Sequence, residues 1–196
     1  MRLASLLPWR SKDPYWDDFV NRPPTDPANL VPPAIRNAPE GAVFPTRSDV
    51  HTPEVMTEHI RDLGRFFGAS LVGVARLDAS GDAEYPFAVV CGIAGEYDPR
   101  KAQGIGGQAA ALTGAYVTFN IAAAIREYGF RATRKTDDTV DLDRLAVCAG
   151  LGTLDAEGRL TTPEHGRKLY LADAIRTDLP LNPGTEETYE WARPTS

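Results

Sequence analysis

The chain has 196 residues, of which 42% are apolar, 24% charged and 9% aromatic, with 17 glycines and 16 prolines, a composition suited to one globular domain and not to a collagen, a coiled coil or a wholly disordered chain. Its formal charge of -6, from 21 basic and 27 acidic residues, offers no basic footprint for a phosphate backbone, so nucleic acid is excluded as an expected partner. Two cysteines, Cys91 and Cys148, lie far apart and give neither a disulfide framework nor a CxxC pair, which excludes an iron-sulfur cluster held by this chain and fits a reducing compartment. The start, Met1 to Trp9, carries no cleavage site or twin arginine, and a cytoplasmic location is expected.

Nine of the 16 prolines fall within the first 45 residues, and this polar, proline-punctuated stretch (1–45) reads as an irregular arm. Its rings, Trp9, Tyr15, Trp16 and Phe19, are unusual in a free linker, and the arm is expected to lie on a surface, its own or a partner's. The ordered core is expected to begin at Thr52, a helix N-cap followed by Pro53 and Glu54; Met56, Ile60, Leu63 and Phe67 recur at helical spacing, and Gly68 stops the run. Two short β-branched segments follow, 70–77 (SLVGVARL) and 87–94 (FAVVCGIA), both with the look of buried strands.

The loop 95–107 leads into a long helix expected over 108–128, apolar almost throughout from Ala109 to Ile125. Arg126 and Glu127 close it before the roughly 20 apolar residues that a membrane span needs, so it reads as a core helix with no membrane span. Gly129 caps it, 131–135 can form a strand, and 140–151 reads as a further helix. Leu154 and Leu160 flank a turn, Asp155-Ala-Glu-Gly158, and 168–175 is a plausible strand. The expected class is α/β: one mixed sheet with helices on its faces, in a domain over 46–181, followed by an acidic tail over 182–196.

Most catalytic signatures are missing: His51, His59 and His165 have no HExxH spacing, and no serine sits in a GxSxG elbow. Gly104, Gly106 and Gly107 precede the long helix and can present amides to an anion such as a flavin phosphate, or form a plain flexible loop. Within the long helix Thr113, Tyr116 and Asn120 share one stripe, to be satisfied by neighbouring backbone or by a ligand in a pocket. A second cluster runs from Ala149 to Lys168. Gly150 and Gly152 allow close approach of a bulky group, Thr161 and Thr162 supply hydroxyls, and His165 can face solvent or ligate a metal; Arg167 and Lys168 can hold an anion or solvate a strand start. These residues are the candidate cofactor site, placed between the long helix and the 149–168 segment.

The ordered pieces VGVARL (72–77), AAAIREYGFRA (122–132), LAVCAGLG (145–152), LTTPEHG (160–166) and TDLPL (177–181) together resemble the corrinoid-binding module of the reductive dehalogenase and epoxyqueuosine reductase families. The resemblance implies a nitroreductase-like α/β fold and cobalamin as cofactor. In those families two iron-sulfur clusters in a following cysteine-rich domain reduce the cobalt, whereas residues 182–196 here contain no cysteine. The resemblance therefore implies an oxidoreductase subunit that receives electrons from a separate partner, and the aromatic, proline-rich arm is the segment expected to dock that partner in a hetero-oligomer. It also implies Tyr116 as proton donor, with Arg167 or Lys168 as the assisting basic residue. The acidic proton donor of the epoxyqueuosine reductases has no evident counterpart. Two other functions remain open: a non-catalytic corrinoid carrier or structural subunit, and a flavin-dependent reductase.

Overall fold

The computed structural model describes residues 31–78, 84–95, 105–134 and 140–191, with side chains described from residue 108 onward in the third stretch. Trp9, Tyr15, Trp16 and Phe19 of the arm, Gly104 of the glycine-rich piece and Lys135 of the expected strand lie outside the described residues.

The elements run α1 (Val31–Arg36), α2 (Pro53–Phe67), β1 (Leu71–Leu77), β2 (Phe87–Ala94), α3 (Ile105–Glu127), β3 (Ala132–Thr133), α4 (Leu142–Cys148), β4 (Thr153–Leu154), β5 (Leu160–Thr161), β6 (Leu169–Leu171), β7 (Ile175–Thr177) and β8 (Thr188–Tyr189). The expected α/β class with a mixed sheet is the one observed. Its strand order is β3-β7-β2-β1-β8, with β6 also on β2; β8 is parallel to β1 and the other pairs of this sheet are antiparallel. The hairpin expected around Asp155–Gly158 forms as β4 and β5.

Local chemistry sets the boundaries of α2. The Thr52 side chain accepts from the Val55 amide, Pro53 occupies the first turn, and Gly68 ends the helix at φ 111°. Asp141 caps α4 in the same way, accepting from the Arg144 amide. The expected strand over 168–175 instead divides into β6 and β7, separated by 172–174: β6 pairs with the Gly92–Ala94 end of β2 and β7 with its Phe87–Val89 end. The helix expected over 140–151 is shorter because Ala149 caps it and Gly150 turns the chain at φ 78°.

Strand alternation sorts the core into two layers. Val72 and Val74 of β1 and Val89, Cys91 and Ile93 of β2 meet α2 and α3 on one face, where Ile60, Val117, Ile121 and Ile125 are buried. Ala75, Leu77, Ala88 and Val90 point the other way, onto Leu145 and Ala146 of α4, Leu160 of the hairpin, Tyr189 and Trp191. Because both faces of β1 and β2 are covered, these strands read as continuous apolar runs. By length and composition α3 is apolar enough to cross a membrane, yet its inner side is packed on the sheet with Ile121, Ala122 and Ile125 fully buried.

Two stretches outside the motif-bearing sequence are bonded into this body. Pro32 and Pro33 stand in the first turn of α1, where amides have no intrahelical acceptor to lose. Arg36 grips Asp173 with two hydrogen bonds of 2.6 Å. Glu40 accepts from the buried Arg126 guanidinium and from the Arg134 amide, the latter at 2.8 Å. The Phe44 and Ser48 amides bond to the carbonyls of Arg126 and Tyr128. At the other end, residues read as an acidic tail edge the sheet: Gly184 N donates to Val74 O at 2.8 Å, β8 continues along β1, and Trp191 is 4% exposed.

Cys91 is fully buried in β2, and burial pushes its thiol up to about 12. The unfolded thiol ionises near 9, so this group contributes stability below that pH and the contribution is lost as pH rises from about 9 through about 12. Iodoacetamide at pH 8 is expected to label Cys91 only at the rate of global unfolding. Labelling of the native chain at the rate of a free thiol would contradict this burial.

Candidate functional site

Among the polar residues of α3, Thr118, which lies off the stripe, is satisfied inside the helix, its hydroxyl donating to the Gly114 and Ala115 carbonyls. Asn120 does the same through its amide nitrogen, which donates to Tyr116 O at 2.8 Å. Tyr116 departs from the expectation of a buried phenol: it is 48% exposed. Its ring stands edge-on to Phe67 of α2, centroids 5.9 Å apart at 89°, and Phe66 beyond it is 82% exposed. With Leu112 also exposed, these side chains form an apolar, aromatic strip where the end of α2 meets the outer side of α3. The hydroxyls of Thr113 and Tyr116 border that strip. Gly106 and Gly107 fall in the first turn of α3.

The second candidate cluster serves the fold at several points. An added Cβ on Gly150 would meet the Gly184 backbone at 3.1 Å, and one on Gly152 would meet Thr161 O at 2.3 Å. Both glycines therefore admit the chain's own backbone, where the sequence suggested room for a ligand. The Thr162 hydroxyl accepts from the His165 amide in a tight turn closed by Thr162 and Gly166. His165 is half-buried in that turn and stands 3.8 Å from Glu164. Arg167 is bound to Asp155 at 2.7 Å and Glu157 at 3.1 Å, which ties it to the β4–β5 turn. Thr161 differs from these, since its hydroxyl oxygen is buried without a hydrogen-bond partner among the described residues.

Geometry divides the site residues into two sets. Thr113, Tyr116 and Asn120 ride on α3, on one face of the sheet, whereas Gly150 and Gly152, in the turn from α4 to β4, and Thr161 of the hairpin lie on the other. Among the described residues the sheet stands between them, so the long helix does not face the 149–161 segment. Lys168 rejoins the α3 side. Tyr170 of β6 and Ala172 just after the strand lie against α3, where a Cβ on Gly114 would meet each at 3.0 Å, and carrying the alternation of β6 back to Lys168, whose carbonyl accepts from Gly95 N, puts that residue on their face. Phe66 and Phe67, which complete the strip, escaped sequence reasoning. Phe67 reads as an ordinary core position, and no periodicity singles out Phe66. Among the described residues no three His, Cys, Asp or Glu side chains converge as a metal site.

Gly150 yields a prediction on this footing. Gly150→Leu is expected to destabilise the fold, by about 1–2 kcal/mol for the left-handed backbone alone and further for the contact with Gly184. Urea denaturation measures this, and a variant as stable as the parent would refute the close approach.

No family model matches the chain, and no curated protein matches it. Solved structures do. The chain is similar to the catabolic reductive dehalogenase NpRdhA, with a TM-score of 0.65 and 26% identity over 83% of this chain and 27% of that one. It is likewise similar to a reductive dehalogenase whose structure suggests a mechanism for B12-dependent dehalogenation, with a TM-score of 0.62 and 28% identity over 80% of this chain and 23% of that one. The epoxyqueuosine reductase from Streptococcus thermophilus shares the fold, with a TM-score of 0.50 and 16% identity over 68% of this chain and 48% of that one. The chain thus spans about a quarter of the length of the reductive dehalogenases it resembles. The fold defines the class: a mixed α/β domain similar to part of a reductive dehalogenase.

Proposed function

We propose that the chain is a corrinoid-binding module of a reductive dehalogenase-like oxidoreductase, receiving electrons from a separate partner subunit. The observation that carries this reading is the likeness over four-fifths of the chain to a structure described by B12-dependent dehalogenation. The surface at α3 fits such a group in kind. Exposed rings at Phe66 and Tyr116, the Thr113 hydroxyl and the Asn120 amide make an uncharged wall, suited to a broad ring system that carries amide side chains and is held by van der Waals contact and hydrogen bonds. When bound, a reduced corrinoid supplies an electron-rich cobalt that transfers electrons to the substrate.

The chain's own part is positional and acid-base. Thr113 and Asn120 border the group, Tyr116 holds the proton that the reduced substrate takes up, and Lys168 is the basic residue that assists it. Arg167 is committed to Asp155 and Glu157 and is the weaker candidate for that role. His165 and Thr162 shape the turn that delivers Lys168 to β6, and Gly150, Gly152 and Thr161 support the opposite face.

Reconstitution tests the reading. The purified full chain mixed with cobalamin and desalted is expected to retain a corrinoid absorption spectrum, and a colourless protein would sink it. A flavin spectrum from protein purified from its native source would favour the flavin reductase. With titanium(III) citrate as artificial donor and a halogenated phenol, turnover separates an enzyme subunit from a carrier. Tyr116→Phe is then expected to lower turnover by about 10²–10⁴-fold with cobalamin retention unchanged, and an undiminished rate would leave Tyr116 without a chemical role.

A further inference from the structure

We propose that Phe67, the last residue of α2, is a positioning residue that fixes the ring of Tyr116, an inference that rests on reading Tyr116 as the proton donor. A half-exposed tyrosine on the outer side of a helix has two open χ1 wells. Among the described residues its hydroxyl has no hydrogen bond that would choose between them. The ring contact that does so is Phe67, whose edge meets the Tyr116 ring at 5.9 Å and 89°, the T-shaped geometry that the ring quadrupoles favour.

Phe67 is itself held from three sides. It is packed partly into the main core, and Phe66 lies edge-on to it at 5.4 Å and 66°. It is followed by Gly68 at φ 111°, a conformation that ends α2 and sets the chain against α3, where a Cβ would meet the Thr113 methyl at 3.2 Å. Thr113 lies one turn before Tyr116. The end of α2 therefore grips α3 at the level of the phenol. A proton donor works only from a fixed geometry, and here that geometry comes from a neighbouring helix and not from a hydrogen bond.

The test uses the full chain and a readout that needs no cofactor. In protein with ring-labelled tyrosine, with Tyr116 assigned by comparison with Tyr116→Phe, Phe67→Leu is expected to move the Tyr116 ring resonances toward random-coil shifts and to average its χ1 couplings. Phe67→Tyr, which keeps the edge, is expected to restore both. Phe67→Met serves the same purpose as Phe67→Leu if the leucine variant is not folded by circular dichroism. Tyr116 signals in a folded Phe67→Leu or Phe67→Met identical to those of the parent would overturn the proposal. In the reconstituted reaction the released ring is expected to lower kcat by about 2- to 10-fold, the range an aromatic pair supports, with KM unchanged. A released ring with undiminished turnover would support the hold of Phe67 on Tyr116 and count against Tyr116 as the proton donor.

Discussion

Glu40→Gln is expected to destabilise the domain by about 3 kcal/mol, the lower end for removing one partner from a buried charge cluster. Two guanidiniums depend on this carboxylate. The Arg126 and Arg134 side chains are 5% and 3% exposed against 25% for Glu40, so the charge that would lose its counterpart is the one away from water. Burial pushes the Arg134 guanidinium below its usual range, and Glu40 opposes that push while Arg126 adds to it. Backbone carbonyls satisfy part of each arginine: Arg126 donates to Ala132 O at 3.0 Å, and Arg134 to Ile35 O at 3.0 Å and Ala38 O at 3.3 Å. They hydrogen-bond the guanidiniums without neutralising them, so glutamine in place of Glu40 leaves two buried positive charges side by side. A shift of the urea midpoint equivalent to less than about 1 kcal/mol would show that the cluster acts as an ordinary surface pair. Removing residues 1–45 takes away Glu40, α1 and the Arg36–Asp173 bond together, so the truncated chain is expected to be less stable than Glu40→Gln.

That expectation reverses what composition suggests for the same stretch, and the reason is physical. Proline-rich residues 31–45 have no period of their own, and their partners in the domain lie far off in sequence, from Phe44 bonded to Arg126 to Arg36 bonded to Asp173, 137 positions apart. Nothing local announces such pairing. What was legible announces itself locally: the Thr52 and Gly68 caps of α2, the β-branched runs of β1 and β2, the apolar length of α3 and the Asp155–Gly158 turn. Exposure within α3, including that of Tyr116, was not legible, because a helix apolar on nearly every side gives no apolar stripe to mark which side faces inward.

The motifs behind the family resemblance are mostly architecture. Arg131 N and Nε donate to Asp178 at 2.6 and 3.1 Å, and the Thr177 hydroxyl donates to Arg131 O at 2.7 Å. These bonds join the AAAIREYGFRA and TDLPL pieces. Gly129 takes φ 81° where a Cβ would meet Thr46 O at 2.6 Å. Residues that identify the fold so reliably are therefore poor guides to the ligand, and the glycines of LAVCAGLG, read as room for a cofactor, are filled by Gly184 and Thr161. The features that point outward, the Phe66 and Tyr116 rings, belong to none of the five motifs.

Trp191→Ala is expected to cost about 3–5 kcal/mol, the usual penalty for deleting a buried indole. Its ring is 4% exposed, lies edge-on to Tyr189 at 6.1 Å and 70°, and carries the Arg176 guanidinium over its face at 4.9 Å. The loss opens the second core layer under Leu145 and Ala146. Ending the chain at Leu181, where the family motifs stop, removes more. It strips β8 from β1, frees the Val74 carbonyl from Gly184, and deletes the Tyr189 hydroxyl that accepts from the Asp141 amide at 3.0 Å. It also takes away Thr185, which donates to Cys148 O at 2.7 Å at the end of α4. The edge of β1 then presents unpaired backbone groups to solvent and to other chains. Against a total stability of roughly 5–15 kcal/mol, the 1–181 fragment is expected to aggregate or remain unfolded, whereas Trp191→Ala folds with a lowered urea midpoint. A soluble 1–181 fragment with the parent's cooperativity and midpoint would show that residues 182–191 decorate the sheet and do not complete it.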